Sequence, residues 1–263
     1  MTDTGTEAGR ALSMLDLTSL GDDDSPASVG TMLKRAVTPA GPVAAVCVWP
    51  AFVAQAKSAL AGTTVRVATV SNFPHGRPDI AGAVATTKQV VADGADEVDV
   101  VWPYDSWLNG NSTIAGDLVA ACKDACGSTA HLKVILETGR LQTATAIAGS
   151  SRDAIAAGAD FIKTSTGKES VNATLPVSLV MIRAIRDYEA ATGIRIGYKP
   201  AGGISKAKDA LVYLSLIKEE LGDRWLEPDL FRFGASSLLG DIERQLEHHV
   251  TGAYSASHRH AAG

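Results

Sequence analysis

Cysteine is scarce. Cys47, Cys122 and Cys126 are the only three in 263 residues, and no two form a CxxC pair. No even framework exists, so structural disulfides are not expected. Aromatic residues are also few, at 5%. The apolar runs stop well short of the roughly 18 residues that a membrane span needs. Positive charge is not in excess: 24 Lys and Arg against 29 Asp and Glu give a net charge of −5. That excludes a broad basic surface for nucleic acid or anionic membrane. The opening residues, MTDTGTEAGR, lack the apolar core of a signal peptide. A cytoplasmic location is therefore the expectation.

Strand-like runs alternate with helical stretches from end to end. The runs are 13–17, 43–49, 64–70, 97–102, 131–137, 160–164, 194–199 and 230–235. Several are β-branched and nearly continuous, as in strands buried on both faces. From the second onward they recur at the length of a βα unit. Ser25-Pro26 supplies an N-cap and an N1 proline for a helix near 26–37. Pro78-Asp79 opens another over 79–93, and apolar residues spaced three and four apart predict a third over 206–221, stopped by Gly222. Eight such units predict a single (β/α)8 barrel domain spanning 1–263. No GxGxxG follows either of the first two strands, which argues against a doubly wound sheet. About nine residues at the N-terminus and the tail after about Thr251 read as loosely held.

DGADEVDVVWP (93–103) and AGADFIKTSTG (157–167) share a pattern. Asp96 and Asp160 open their strands and read as structural. Asp99 and Lys163 follow them at the same offset, so both point inward at one height on the fourth and sixth strands. Lys133 and Lys199 add cations on the fifth and seventh. Ionisable side chains inside apolar strands are costly unless they have a use.

A lysine is nucleophilic only as the neutral amine, and burial and a second cation both favour that form. Two unit charges about 4 Å apart repel by roughly 4 kcal/mol at an effective dielectric near 20, at most about 3 pKa units. A neutral Lys163 beside Lys199 would attack a carbonyl and form a Schiff base, with Asp99 shuttling protons directly or through a water. This is class I aldolase chemistry and requires no metal or cofactor. The loops after strands six, seven and eight read TSTGK, PAGG and GASS. Gly167, Lys168, Gly202, Gly203, Ser236 and Ser237 form a phosphate cradle where barrels usually hold one.

Several other residues have plainer readings. Asp22, Asp23 and Asp24 precede a helix and suit its dipole. Cys47, Cys122 and Cys126 pack in the interior, and Trp102, Tyr104 and Trp107 pack the loop after strand four. The histidines of the tail suit a mobile segment, and His75 receives no role.

LDLTSL (15–20), VSNFPHG (70–76), GADEVDVVWPY (94–104), LKVILETG (132–139), GADFIKTSTGK (158–168), YKPAGGI (198–204) and RFGASSLL (232–239) closely resemble the deoxyribose-phosphate aldolases, a class I aldolase family. The resemblance covers about residues 10–245. It implies a (β/α)8 barrel that reversibly cleaves 2-deoxy-D-ribose 5-phosphate to acetaldehyde and D-glyceraldehyde 3-phosphate, in deoxyribonucleotide catabolism. It implies Lys163 as the Schiff-base lysine, Lys199 as the second lysine and Asp99 as the proton relay. Asp16 and Lys133 match supporting residues, and Thr166 a contact to a substrate hydroxyl. Family members are often dimers, which raises a homodimer here. The family's tail can carry a tyrosine that reaches the active site; Tyr254 is the tyrosine here, ahead of the HRHAAG ending. Two alternatives stay open: a Schiff-base aldolase for another phosphosugar, and a noncatalytic phosphosugar-binding barrel.

Overall fold

The computed structural model describes residues 4–255. Eight parallel strands form its centre: β1 Leu15–Ser19, β2 Ala45–Val48, β3 Arg66–Ser71, β4 Glu97–Val101, β5 His131–Ile135, β6 Phe161–Lys163, β7 Gly197–Lys199 and β8 Phe233–Ala235. Each pairs with its sequence neighbour from β1 to β7, and β1 also pairs with β8. Bridges Tyr198–Phe231 and Ala201–Gly234 close the remaining seam. The sheet is thus a barrel, as the alternation predicts.

The surrounding helices are α1 Thr4–Ser13, α2 Pro26–Leu33, α3 Val53–Ala59, α4 Ile80–Ala92, α5 Tyr104–Leu108, α6 Ser112–Cys126, α7 Thr138–Leu141, α8 Ala144–Ala156, α9 Leu175–Thr192, α10 Ala207–Leu221 and α11 Leu238–Thr251. Local chemistry sets their starts. Ser25 and Ser28 form a capping box at α2, and Asp79, Asn111, Thr143 and Thr174 cap α4, α6, α8 and α9. Among the described residues, no helix is long and apolar enough to cross a membrane.

Asp96 and Asp160 do the same structural job one unit apart. Asp96 accepts from Lys57 and the backbone N–H of Val67, and Asp160 from Lys123 and the N–H of Leu132. Each carboxylate ties the start of its strand to a helix and to a neighbouring strand. Cys122 and Cys126 are buried on α6, and Trp102 is buried. Trp107 donates to Asp153, and the Arg140 guanidinium lies over the Tyr104 ring.

Among the described residues, the N-terminal end differs from expectation. From Thr4 the chain is helical rather than loose, and α1 buries Ala8, Ala11 and Leu12. The first strand begins at Leu15 rather than Ser13, because Ser13 still belongs to this helix. At the other end α11 runs to Thr251, and the Tyr254 ring stacks on His248 with centroids 4.0 Å apart. His258, His260 and the rest of the HRHAAG ending lie outside the described residues.

Candidate active site

Side chains of one parity on each strand face the lumen. On one side they are small and apolar: Cys47, Ala68 and Val70 pack together. Elsewhere the lumen is ionic. Three carboxylates, Asp16, Glu97 and Asp99, meet four cations, Lys133, Lys163, Lys199 and Arg232, and all seven are buried.

The register explains how Asp99 meets Lys163. Asp99 pairs with Lys133, and Lys133 with Phe161, two residues short of Lys163. Tilted barrel strands raise each layer by about one residue per strand. Over two strands this brings Lys163 level with Asp99, and Lys163 Nζ donates to Asp99 Oδ2 at 2.8 Å. Lys199 Nζ donates to the same oxygen at 2.9 Å.

The network below is continuous. Lys199 Nζ lies 2.5 Å from Asp16 Oδ2. Arg232 donates to Asp16 Oδ1 at 2.6 Å and to Glu97 Oε1 at 2.7 Å. Lys133 pairs with Glu97 and stands 3.4 Å from Asp99 Oδ1. Burial disfavours every charge here, and opposite charges outweigh it. Lys199, Arg232 and Lys133 hold Asp16 below the ordinary carboxylate range, Lys133 and Arg232 hold Glu97 there, and Lys163, Lys199 and Lys133 hold Asp99 well below it. Asp16 and Asp99 push the Lys199 ammonium above its ordinary value, and Asp16 and Glu97 do the same for Arg232. Burial pushes the Cys47 thiol up to about 11.

This changes the picture of a bare lysine pair. The two amines share one carboxylate oxygen, and that oxygen offsets much of their repulsion. Asp16 and Asp99 favour the charged form of Lys199. Four basic side chains face three acidic ones in the lumen. Lys133, Lys199 and Arg232 each pair with two of the carboxylates. Lys163 pairs with Asp99 alone.

The floor of this network carries a stability prediction. Arg232→Met leaves Asp16 and Glu97 each short of a partner in a dry site. Breaking such a buried pair costs roughly 3–5 kcal/mol, which denaturant unfolding of parent and variant would read. A loss under about 1 kcal/mol, the scale of exposed pairs, would show that the floor is solvated. The pH sign follows from the depressed carboxylates. Their contribution is complete above the unfolded values near 4 and is lost as pH falls through the lower folded values. The melting temperature of the parent should therefore drop steeply below about pH 4.

Above the lysines lies a cavity of about 680 Å³. Lys163, Thr166, Gly167, Lys168, Gly202, Gly203, Ser236 and Ser237 all line it, joined by Thr18, Ser19, Asp24 and Arg35. Thr164 Oγ1 accepts from the N–H of Ala201 and donates to its carbonyl, fastening the sixth loop to the seventh. Gly202 has φ +83°, and a Cβ there would stand 2.5 Å from Asn172. At Gly234 a Cβ would stand 2.9 Å from Ala201 Cβ and 3.0 Å from Lys199 Cε, so a larger residue would crowd both.

Some expected and unexpected residues sort out here. Asp22 does not serve the helix dipole alone: its carboxylate pairs with Lys168 at 3.0 Å. Asp24 accepts from Ser19 and the N–H of Gly21. His75 lies beside a separate cleft with Phe73 and Arg77. Tyr254 does not line the Lys163 cavity; its hydroxyl lies 3.4 Å from Gln245 on α11. Glu97 and Arg232 are essential members of the network that sequence reasoning missed. Glu97 has the parity of Asp99, two residues earlier, and Arg232 that of Gly234, which was the available signal.

Known proteins share this fold and much of this sequence. Residues 10–241 match the DeoC/LacD family aldolases. A human protein named deoxyribose-phosphate aldolase is 48% identical over 266 residues, covering 95% of this chain and 83% of its own. A Toxoplasma gondii structure assigned as a deoxyribose-phosphate aldolase superposes with TM-score 0.83 at 25% identity, covering 92% of this chain and 95% of its own. The tetrameric deoxyribose phosphate aldolase of Aeropyrum pernix, 20% identical with TM-score 0.73 over 95% of this chain and 98% of its own, shares the fold. A barrel with a lysine-lined lumen and a family match over most of its length makes this chain a member of the DeoC/LacD aldolase family, a carbon–carbon lyase.

Proposed function

We propose that the protein reversibly cleaves 2-deoxy-D-ribose 5-phosphate to acetaldehyde and D-glyceraldehyde 3-phosphate through a Schiff base on Lys163. The observation that carries the reading is the isolation of Lys163. It is the one lumen cation with a single carboxylate partner, and the one that lines the cavity. It can give up a proton without leaving a carboxylate unpaired, since Asp99 keeps Lys199 and Lys133.

The steps then balance. The Lys163 amine attacks the aldehyde carbon of the open-chain sugar, and water leaves to form an iminium. The C3 hydroxyl loses its proton, the C2–C3 bond breaks, and its electron pair moves into the iminium to give an enamine. D-Glyceraldehyde 3-phosphate departs. The enamine is protonated at C2, and water releases acetaldehyde and restores the amine. Asp99, ionised and in contact with both lysines, passes protons between them and the substrate. Asp16 and Lys133 hold Lys199 and Asp99 in place. Thr166 meets a substrate hydroxyl.

The phosphate sits against Gly167, Lys168, Gly202 and Gly203, with Ser236 and Ser237 at the N-terminus of α11. Gly203 has φ +83° and open space around a Cβ. A β-branched residue there forces the loop out of its left-handed turn. Gly203→Val should raise KM for phosphorylated substrate at least about tenfold, the worth of one or two charge-assisted hydrogen bonds. Turnover of unphosphorylated deoxyribose should change little. Equal losses on both substrates would place the phosphate elsewhere. The same reading puts the enzyme in the cytoplasm, in the breakdown of deoxyribonucleotides. Its direct test is cleavage of deoxyribose 5-phosphate with acetaldehyde as measured product. Cleavage of another phosphosugar in its place would overturn the substrate.

A further inference from the structure

Glu137 differs from every other buried acid described above. Asp16, Glu97 and Asp99 all face cations at ion-pair distance, and Glu137 faces none among the described residues. It is 1% exposed. Its backbone has φ 55° and ψ 63°, a left-handed conformation that a residue with a side chain rarely adopts. The N–H groups of Leu136 and Thr138 on either side bond to the carbonyls of Lys163 and Thr164, which holds the turn in place. Such outliers persist where surrounding structure over-determines them, often at functional sites.

The held side chain reaches the TSTGK loop. Glu137 Oε2 accepts from the Thr166 N–H at 3.2 Å and from the Thr166 hydroxyl at 2.5 Å. Thr166 Oγ1 in turn accepts from the Lys168 N–H at 3.0 Å. A threonine hydroxyl has one proton and two lone pairs. Glu137 takes the proton and Lys168 one lone pair. Only the other lone pair is left for the cavity that Thr166 shares with Lys163. Burial pushes the Glu137 carboxyl up, with the Thr166 hydrogen bonds opposing it.

We propose that Glu137 is a positioning residue that fixes the Thr166 hydroxyl as a hydrogen-bond acceptor, so that the site selects substrates presenting a hydroxyl donor there. The inference rests on the aldolase reading above. It makes the acceptor aldehyde's hydroxyl, beside the carbonyl that forms the new bond, the group that Thr166 reads. A deoxy analogue would leave that lone pair without its donor, which costs affinity.

The test compares two acceptors in the condensation direction with acetaldehyde: D-glyceraldehyde 3-phosphate and 3-oxopropyl phosphate, which lacks the C2 hydroxyl. The reading is the ratio of their kcat/KM values. Glu137→Ala should lower that ratio about tenfold, the scale of one hydrogen bond. Glu137→Gln should keep it, because the amide oxygen can accept the same two hydrogens. Thr166→Val should lower it as Glu137→Ala does, and the double variant should lose no more than Thr166→Val alone. A role confined to stability would lower both acceptors equally and leave the ratio unmoved, which would overturn the inference. Additive losses in the double variant would also overturn it. If the alanine variant does not fold, Thr166→Val decides, and an unchanged ratio there overturns the proposal. Cleavage of deoxyribose 5-phosphate by the parent is measured first. Its absence defeats the aldolase reading and this inference together, whereas normal cleavage with an unmoved ratio defeats this inference alone.

Discussion

Replacing Lys163 by methionine is expected to leave the barrel folded and to lower kcat at least about 10⁴-fold, ~5.4 kcal/mol of transition-state stabilisation. Both halves follow from the same charge balance. Lys163 is the surplus cation of the lumen, so its removal leaves three carboxylates facing three cations. Methionine keeps most of the volume. The melting temperature should therefore stay close to the parent's. The chemistry loses the one lumen amine that lines the cavity. Activity within tenfold of the parent would assign the nucleophile elsewhere.

Lys199→Leu is expected to act through Lys163 rather than by touching substrate. With Lys199 gone, three carboxylates face only Lys133, Arg232 and Lys163. The lumen then needs Lys163 as a cation, and Asp99 Oδ2 loses the partner it shares with it. A cation within about 6 Å favours loss of a proton from its neighbour, and removing it does the opposite. Activity should fall about a hundredfold or more near neutrality, at tenfold per pH unit of displacement. It should recover partly as pH rises. Lys199→Arg keeps a charge in a different shape, so it should retain more activity than leucine without matching the parent. The pH–rate profiles of both variants check this. A leucine variant slow at every pH, with its profile unshifted, would make Lys199 a direct contact to substrate.

The sequence made the barrel legible because parallel strands buried on both faces read as continuous apolar runs between capped helices. The polar exceptions in those runs were legible for the same reason: Asp99 and Lys163 interrupt stretches such as EVDVV and DFIKT. Their meeting also depends on barrel shear, which no local pattern encodes. The N-terminal helix was hidden because its buried stripe is mostly alanine, Ala8 and Ala11 with Leu12, a weak apolar signal. Glu97 and Arg232 were missed because a charged residue near a strand start ordinarily faces solvent. Here both are buried in ion pairs with each other, with Asp16 and with Lys133. Glu137 gave no signal at all, since its importance lies in a backbone conformation and in a partner 29 residues away. Tyr254 was attractive only by resemblance, and it packs back on His248 of the preceding helix α11.

The central claim is that Lys163 forms a covalent imine with the aldehyde. Incubating the protein with acetaldehyde and borohydride, digesting it and mapping the modified peptide by mass tests this directly. Reduction should place one ethyl group on the peptide bearing Lys163, with no turnover remaining. Reproducible modification of Lys199 instead, or full activity after reduction with both lysines unmodified, would contradict the account.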